Sequence, residues 1–215
     1  MDSWEFMRIR GIPLRVHPSW FLVLIYFTLL AREQLSTISE SQVTFLYEWG
    51  SGLLMTVLLF LSVLLHELGH SLVALHEGAK PTKITLFFLG GIAIFEKECP
   101  TPMANFRAAI VGPFLSLSLS FILLGLSDSS LITNIFLSNL LGQLGTLNLL
   151  VALFNLLPVL PLGGGVLLKS LVWHFTGSQR KGIKVATNSG RFFSLAAIFF
   201  GTWICFSGGG LAGLW

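Results

Sequence analysis

Charge is what this sequence has least of. Asp, Glu, Lys and Arg make up 11% of its 215 residues, against about 25% in soluble domains. With 53% hydrophobic residues and a mean hydropathy of +0.81, a soluble globule is excluded and an integral membrane protein is expected. Cysteine is almost absent too: Cys99 and Cys205 leave no material for a disulfide framework or a cysteine-built zinc site. The net charge of +3 is too small, and its basic residues too scattered among loops, for a nucleic-acid surface. Residues 1–15 hold no apolar core, so no cleavable signal is expected and the first span would serve as its own insertion signal. No internal repeat and no low-complexity tract is visible.

What the chain does have is an uncharged apolar run from Trp49 to Leu65 that ends in His66-Glu67-Leu68-Gly69-His70. Four residues apart on a helix, His66 and His70 share one face, so two imidazoles can converge on one metal ion. Zinc (Zn2+) bound by imidazole keeps a position for water and lowers its pKa to about 7. Glu67, beside the first ligand, can take that water's proton and pass it to a leaving amine. Ionisable groups at membrane depth are costly and mark function, so the motif encodes hydrolysis inside or at the edge of a membrane.

The whole chain reads as an all-α polytopic membrane protein, one domain over 1–215, with about five to six transmembrane segments and short membrane-associated β-hairpin elements. Residues 1–18 form an N-terminal extended segment, in which apolar Ile9, Ile12, Leu14 and Val16 largely alternate with Arg8, Arg10 and Arg15. A short first span runs from Ser19 to Ala31, and a polar connection from Arg32 to Glu48. The metal-motif helix covers 50–76, with His76, ten residues after His66, read as a loop residue. Residues 84–95 are split by Gly90-Gly91, which predicts a β-hairpin turning on the two glycines. Such backbone at membrane depth must be buried in protein or line a cavity, beside the metal helix here.

A third span, Phe106 to Leu126, contains Gly112-Pro113 and serines at 116, 118 and 120, which predict a kink and close helix approach. A fourth, Thr133 to Leu157, opens the second active-site segment (133–165). Asn148 and Asn155, seven apart, share a face of it, set either against a polar cavity or for interhelical hydrogen bonds. Pro158 to Gly165 is too rich in Pro and Gly for a regular helix. Val166 to Phe175 is expected at the interface or as a re-entrant piece, Gly177 to Arg191 as a basic loop, and Phe192 to Trp215 as the last hydrophobic segment. Twelve of the thirteen basic residues fall on one side of these spans, with only Arg32 opposite. The positive-inside rule makes that side, with the N-terminus and the metal motif, cytoplasmic. A multi-pass protein of the cell (inner) membrane or another internal membrane is expected.

Taken together, His66-Glu67-Leu68-Gly69-His70, Phe88-Leu89-Gly90-Gly91-Ile92-Ala93, Gly112-Pro113 and Asn155-Leu156-Leu157-Pro158 followed by Leu160-Pro161-Leu162 resemble the site-2 protease family of intramembrane zinc metalloproteases. Gly11-Ile12-Pro13-Leu14-Arg15-Val16-His17 is similar to the branch that carries regulatory CBS domains after the membrane part. The chain then reads as a form truncated before them. The resemblance implies cleavage of single-span, membrane-tethered substrates near the cytoplasmic side of the lipid bilayer. His66 and His70 would be zinc ligands and Glu67 the general base. Asn155 would be a substrate or oxyanion contact, and the Gly90-Gly91 hairpin would guide the unfolded substrate.

One position departs from that pattern. The family's third ligand is an Asp directly after the Leu that matches Leu162, and this chain has Gly163. A two-histidine site loses a carboxylate's charge and one point of the tetrahedron. Three accounts stay open: an inactivated variant, another ligand among His17, His76, His174, Glu77 and Glu96, or water in the empty position. Two further functions compete with hydrolysis. One is a pseudo-protease that binds transmembrane helices without cutting, which Gly163 favours. The other is a metal transporter, against which stands the absence of acidic residues from the remaining spans.

Overall fold

The computed structural model describes residues 3–22, 24–26, 28–29, 45–87 and 90–209. Residues 20–22, 24–26 and 28–29 are helical, and the rest of the expected first span and most of the polar connection lie outside the described residues. Five longer helices follow: α1 (Phe45–His76), α2 (Pro102–Ser127), α3 (Ile135–Asn155), α4 (Gly163–Thr176) and α5 (Gln179–Ile204), the last running into a π-turn at Cys205–Gly209. Among the described residues, four helices are long and apolar enough to cross a membrane: α1 from Trp49, α2, α3, and α5 with its π-turn. The fold is a polytopic helical membrane protein carrying a small sheet.

The sheet has four strands, β1 (Trp4–Ile9), β2 (Ile12–Val16), β3 (Lys80–Phe87) and β4 (Gly90–Lys97), in the order β1-β2-β3-β4. Only the β2–β3 pairing is parallel. The N-terminal segment is thus a hairpin in its own right. Its turn is Arg10-Gly11, both at positive φ, the pattern of the tight turns that match strand twist. Alternation then decides which face is buried: Ile12 and Leu14 of β2 join Ile84 and Leu86 of β3 against Leu64 of α1. Each such fully buried side chain contributes about 1.5–3 kcal/mol. The sheet is therefore fixed to the metal-motif helix one turn or less before the histidines.

The second hairpin differs from expectation in its turn. Gly90 and Gly91 are the first residues of β4, paired with Phe87 and Leu86, and the connection at 88–89 lies outside the described residues. Gly91 sits in the strand because Glu67 lies against it: a Cβ there would stand 2.6 Å from Glu67 Cδ. The strands also run past 84–95, from Lys80 to Lys97.

Packing of α1, α2 and α3 builds the rest. Met55 and Leu59 of α1 meet Leu123 of α2 and Leu140 and Leu144 of α3. Nearer the histidines Ala74, Ala79, Cys99, Ala104 and Ala108 form one cluster, and Gly69 of α1 lies against Leu115 and Val111 of α2, so α2 approaches α1 closely. Helix ends follow their caps. The Thr101 hydroxyl accepts the Ala104 N–H at 3.2 Å, with Pro102 in the first turn, and the Asn134 side chain accepts the Leu137 N–H at 3.0 Å.

Three further expectations are corrected. His76 closes α1 instead of lying in the loop after it. The glycines of the Pro/Gly break do not end helix formation, because Gly163, Gly164 and Gly165 form the first turn of α4. The expected basic loop, Gly177 to Arg191, is helical from Gln179 onward and continuous with the apolar segment. Ser178 caps it at Lys181 N–H, and Gly182, Ala186 and Gly190 bury one face, with Gly182 against the Lys169 carbonyl of α4.

Candidate metal and hydrolytic site

His66 and His70 sit on one face of α1, as their spacing requires, with their Nε2 atoms 3.1 Å apart and His66 only 2% exposed. Each ring is anchored by its other nitrogen. His70 Nδ1 donates to the Ala108 carbonyl at 2.8 Å, which can only accept, so its Nε2 carries the lone pair. His66 Nδ1 lies 2.8 Å from Ser116 Oγ. Its tautomer is fixed from the other side of the site. The Gly163 N–H donates to Asn155 Oδ1, so the Asn155 amide nitrogen faces the rings and donates to His66 Nε2, with His70 Nε2 at 3.3 Å. His66 Nε2 is then an acceptor, and its Nδ1–H donates to Ser116.

Two imidazole lone pairs therefore face each other across a gap, an arrangement that only donors or a cation can satisfy. That donor set fits a divalent metal through two ligands, since zinc–nitrogen bonds of about 2.0–2.1 Å bring paired nitrogens to about this separation. A third anionic donor is the part that does not fit. Among the described residues no group of three His, Cys, Asp or Glu side chains could hold a metal. The alternative donors are engaged elsewhere: His17 Nδ1 with Ser19 Oγ at 2.8 Å, and Glu77 with Arg107 at 2.7 Å. His174 lies edge-on to Phe175, and His76 and Glu96 are exposed. At position 163 a Cβ would stand 2.7 Å from Asn155 Oδ1, so a side chain there would enter the site through Asn155.

Glu67 is buried beside Gly91 of β4. A cavity of about 840 Å³ opens over His66, Glu67, His70, Gly91, Asn155 and Gly163 and extends to Lys169. His66, Glu67, His70, Gly91 and Asn155, inferred from sequence, thus come together around the cavity. Asn148, on the same face as Asn155, takes the packing role instead, donating to Leu144 O at 2.8 Å and Ser62 Oγ at 3.3 Å. Cys99 also borders the cavity, but burial first, then the Glu77 carboxylate, pushes its thiol above the ordinary value. It packs with Ala74, Ala79, Ala104 and Ala108.

Sequence reading missed four contributors. Ser116 was one of three serines assigned to close packing, and the Ala108 carbonyl carries no sequence signal. Gly112 lies against the His70 ring, and Lys169 reaches the cavity from a segment read as interfacial. Only the i, i+4 series Gly112, Ser116, Ser120, which marks one face of α2, could have pointed to two of them.

Comparison with known proteins bears on this geometry. The model of peptidase family M50 matches residues 54–132 and 126–197. A protein of Synechocystis sp. named as a zinc metalloprotease, sll0528, is 46% identical over 192 residues, covering 89% of this chain and 50% of its own length. Zinc metalloprotease MJ0392 of Methanocaldococcus jannaschii is 35% identical over 93% of this chain and 54% of its own. The chain spans about half the length of these curated relatives. The solved site-2 protease from Methanocaldococcus jannaschii superposes with a TM-score of 0.64 at 32% identity, covering 99% of this chain and 91% of that one.

Proposed function

The chain belongs to peptidase family M50, the site-2 protease family of intramembrane zinc metalloproteases, and from that premise we propose that it is an intramembrane endopeptidase centre weakened at one ligand position. The observation that carries this reading is the convergence of the His66 and His70 lone pairs beside buried Glu67, at a cavity large enough for a peptide segment. Zinc held by His66 and His70 would polarise a peptide carbonyl and make water acidic enough to lose a proton near neutral pH. Glu67 takes that proton and returns it to the leaving amine. The Asn155 amide, aimed at the same point, donates to the carbonyl oxygen. Gly91, in an outer strand of the sheet, leaves backbone groups to which an extended segment adds as a further strand.

The substrates of this reading are single-span, membrane-tethered proteins, cut near the cytoplasmic side after local unwinding. The enzyme is a multi-pass protein of the cell or another internal membrane, with its N-terminus cytoplasmic as the charge distribution supports. Gly163 supplies no carboxylate, and zinc affinity and turnover are low in consequence. A second reading, a non-catalytic binder of transmembrane helices, is favoured by that same glycine.

The test is a cleavage assay in liposomes on a panel of labelled single-span proteins, run beside Glu67→Gln. Loss of cutting with metal content unchanged supports the assignment, and retained cutting removes Glu67 as the base. Absence of cutting by either form, with both still cross-linking to the substrate helix, leaves the binder.

A further inference from the structure

The cavity is lined by one cation, Lys169, that hydrolysis does not use. Lys169 of α4 is 5% exposed and is the one Lys or Arg among the described residues lining the cavity. Its Nζ pairs with Glu98 Oε2 at 2.9 Å. The pair is lopsided: the Lys169 side chain is 6% exposed, the Glu98 side chain 57%. We propose that Lys169 is a carboxylate-binding subsite, which takes a carboxylate of the bound peptide segment in exchange for Glu98. The proposal rests on the reading that this cavity receives such a segment.

The physical case is an asymmetry of cost. A buried ammonium needs an anionic partner at all times, and leaving it bare is strongly unfavourable. An exposed carboxylate returns to water at little cost. Glu98 sits in the short connection between Lys97, the last residue of β4, and α2. Gln179 Nε2, at 3.3 Å from the same Glu98 oxygen, stays available to Glu98 when Lys169 turns to another anion. Lys169 by contrast is held from behind, since its carbonyl presses on Gly182 of α5. The cation is fixed, its partner is exchangeable, and the space between them and the histidines is the cavity. The other nearby acid, Glu77, is occupied by Arg107. A neutral or basic segment must leave the Lys169–Glu98 pair closed, and an acidic one replaces it.

A peptide carboxylate has two sources, an acidic side chain and a free C-terminus. The full chain in nanodiscs is titrated with four fluorescent single-span peptides, carrying Glu or Gln next to the span and ending in a free acid or an amide. A peptide with the matching carboxylate should bind about tenfold tighter than its neutral counterpart, as expected for a charge-assisted hydrogen bond. Comparison of the Glu and free-acid arms identifies the source. Lys169→Gln should abolish the difference between acidic and neutral peptides. Glu98→Gln, which removes the competitor from an exposed position, should tighten the acidic peptide only, whereas a purely structural pair would weaken all four alike.

Equal affinities for acidic and neutral peptides in the unaltered chain overturn the subsite and leave the peptide cavity standing. A preference that survives Lys169→Gln overturns it as well. No binding of any peptide removes the cavity reading and the subsite with it.

Discussion

Gly112 of α2 lies directly against the imidazole of His70 on α1, so close that a Cβ at 112 would stand 2.6 Å from His70 Cε1. The glycine of the Gly112-Pro113 pair is thus the seat of His70, one of the two proposed ligands. Gly112→Ala must push the ring off the Ala108 carbonyl or move α2. Zinc affinity should fall more than tenfold, as when a supporting contact of a ligand is lost, with about 1–3 kcal/mol of overpacking cost. Equilibrium dialysis against buffered zinc and thermal unfolding in detergent check both, and unchanged zinc affinity would mean that His70 is no ligand.

Ser116→Ala separates orientation from packing. Removal of the Ser116 hydroxyl leaves the Nδ1–H of buried His66 without its acceptor and frees the ring to rotate. A 10–100-fold loss of zinc affinity is expected, with a stability cost of about 1–3 kcal/mol for the orphaned donor. Ser116→Thr, which keeps the hydroxyl, should recover most of the affinity. If the two variants bind zinc alike, the serine only fills space.

Gly91→Ala should act on Glu67 alone. The added methyl collides with the Glu67 side chain, whose Cδ would stand 2.6 Å from it. Cleavage should drop by about 10²–10⁴, the usual share of a positioned base, while zinc content holds. A parallel fall in zinc would show that the hairpin supports the metal ligands instead.

The parts of this site that were legible in the sequence are those with local periodicity. His66, Glu67 and His70 declare themselves by spacing within an uncharged run, whereas the spacing of Asn155 from Asn148 marks a shared face and only the family resemblance implies its place at the site. Positions fixed by tertiary approach were not legible. Gly164 and Gly165 read as helix breakers, at about 1 kcal/mol each relative to Ala. Yet a Cβ at either would stand within 2.7 Å of backbone carbonyl oxygens at Leu157 and Val159, so close packing of α4 on that segment demands glycine and overrides propensity. The expectation of a basic loop over Gly177 to Arg191 follows from Arg180, Lys181, Lys184 and Arg191, yet the chain is helical from Gln179. Gly182, Ala186 and Gly190, four apart, were the overlooked sign of a packed helix face.

Gly163→Asp is the variant in which helix, ligand set and activity meet. Position 163 opens α4, a helix whose Leu162 cap makes no side-chain hydrogen bond and whose first turn has no acid. A carboxylate there complements the helix dipole, worth about 0.3–1 kcal/mol. Its Cβ would stand 2.7 Å from Asn155 Oδ1, the far end of a flexible side chain, and 3.3 Å from the Ala109 carbonyl oxygen of α2, so Asn155 turns aside and α2 yields by a few tenths of an ångström. The new acid then stands beside the two Nε2 lone pairs as the missing anionic donor. Stoichiometric zinc, cleavage well above the unaltered chain and a slightly higher melting temperature are the expected results, read by metal analysis, the liposome assay and thermal unfolding. Zinc already stoichiometric in the unaltered chain, and unaffected by the substitution, would place the third donor elsewhere and make Gly163 a mere feature of α4 packing.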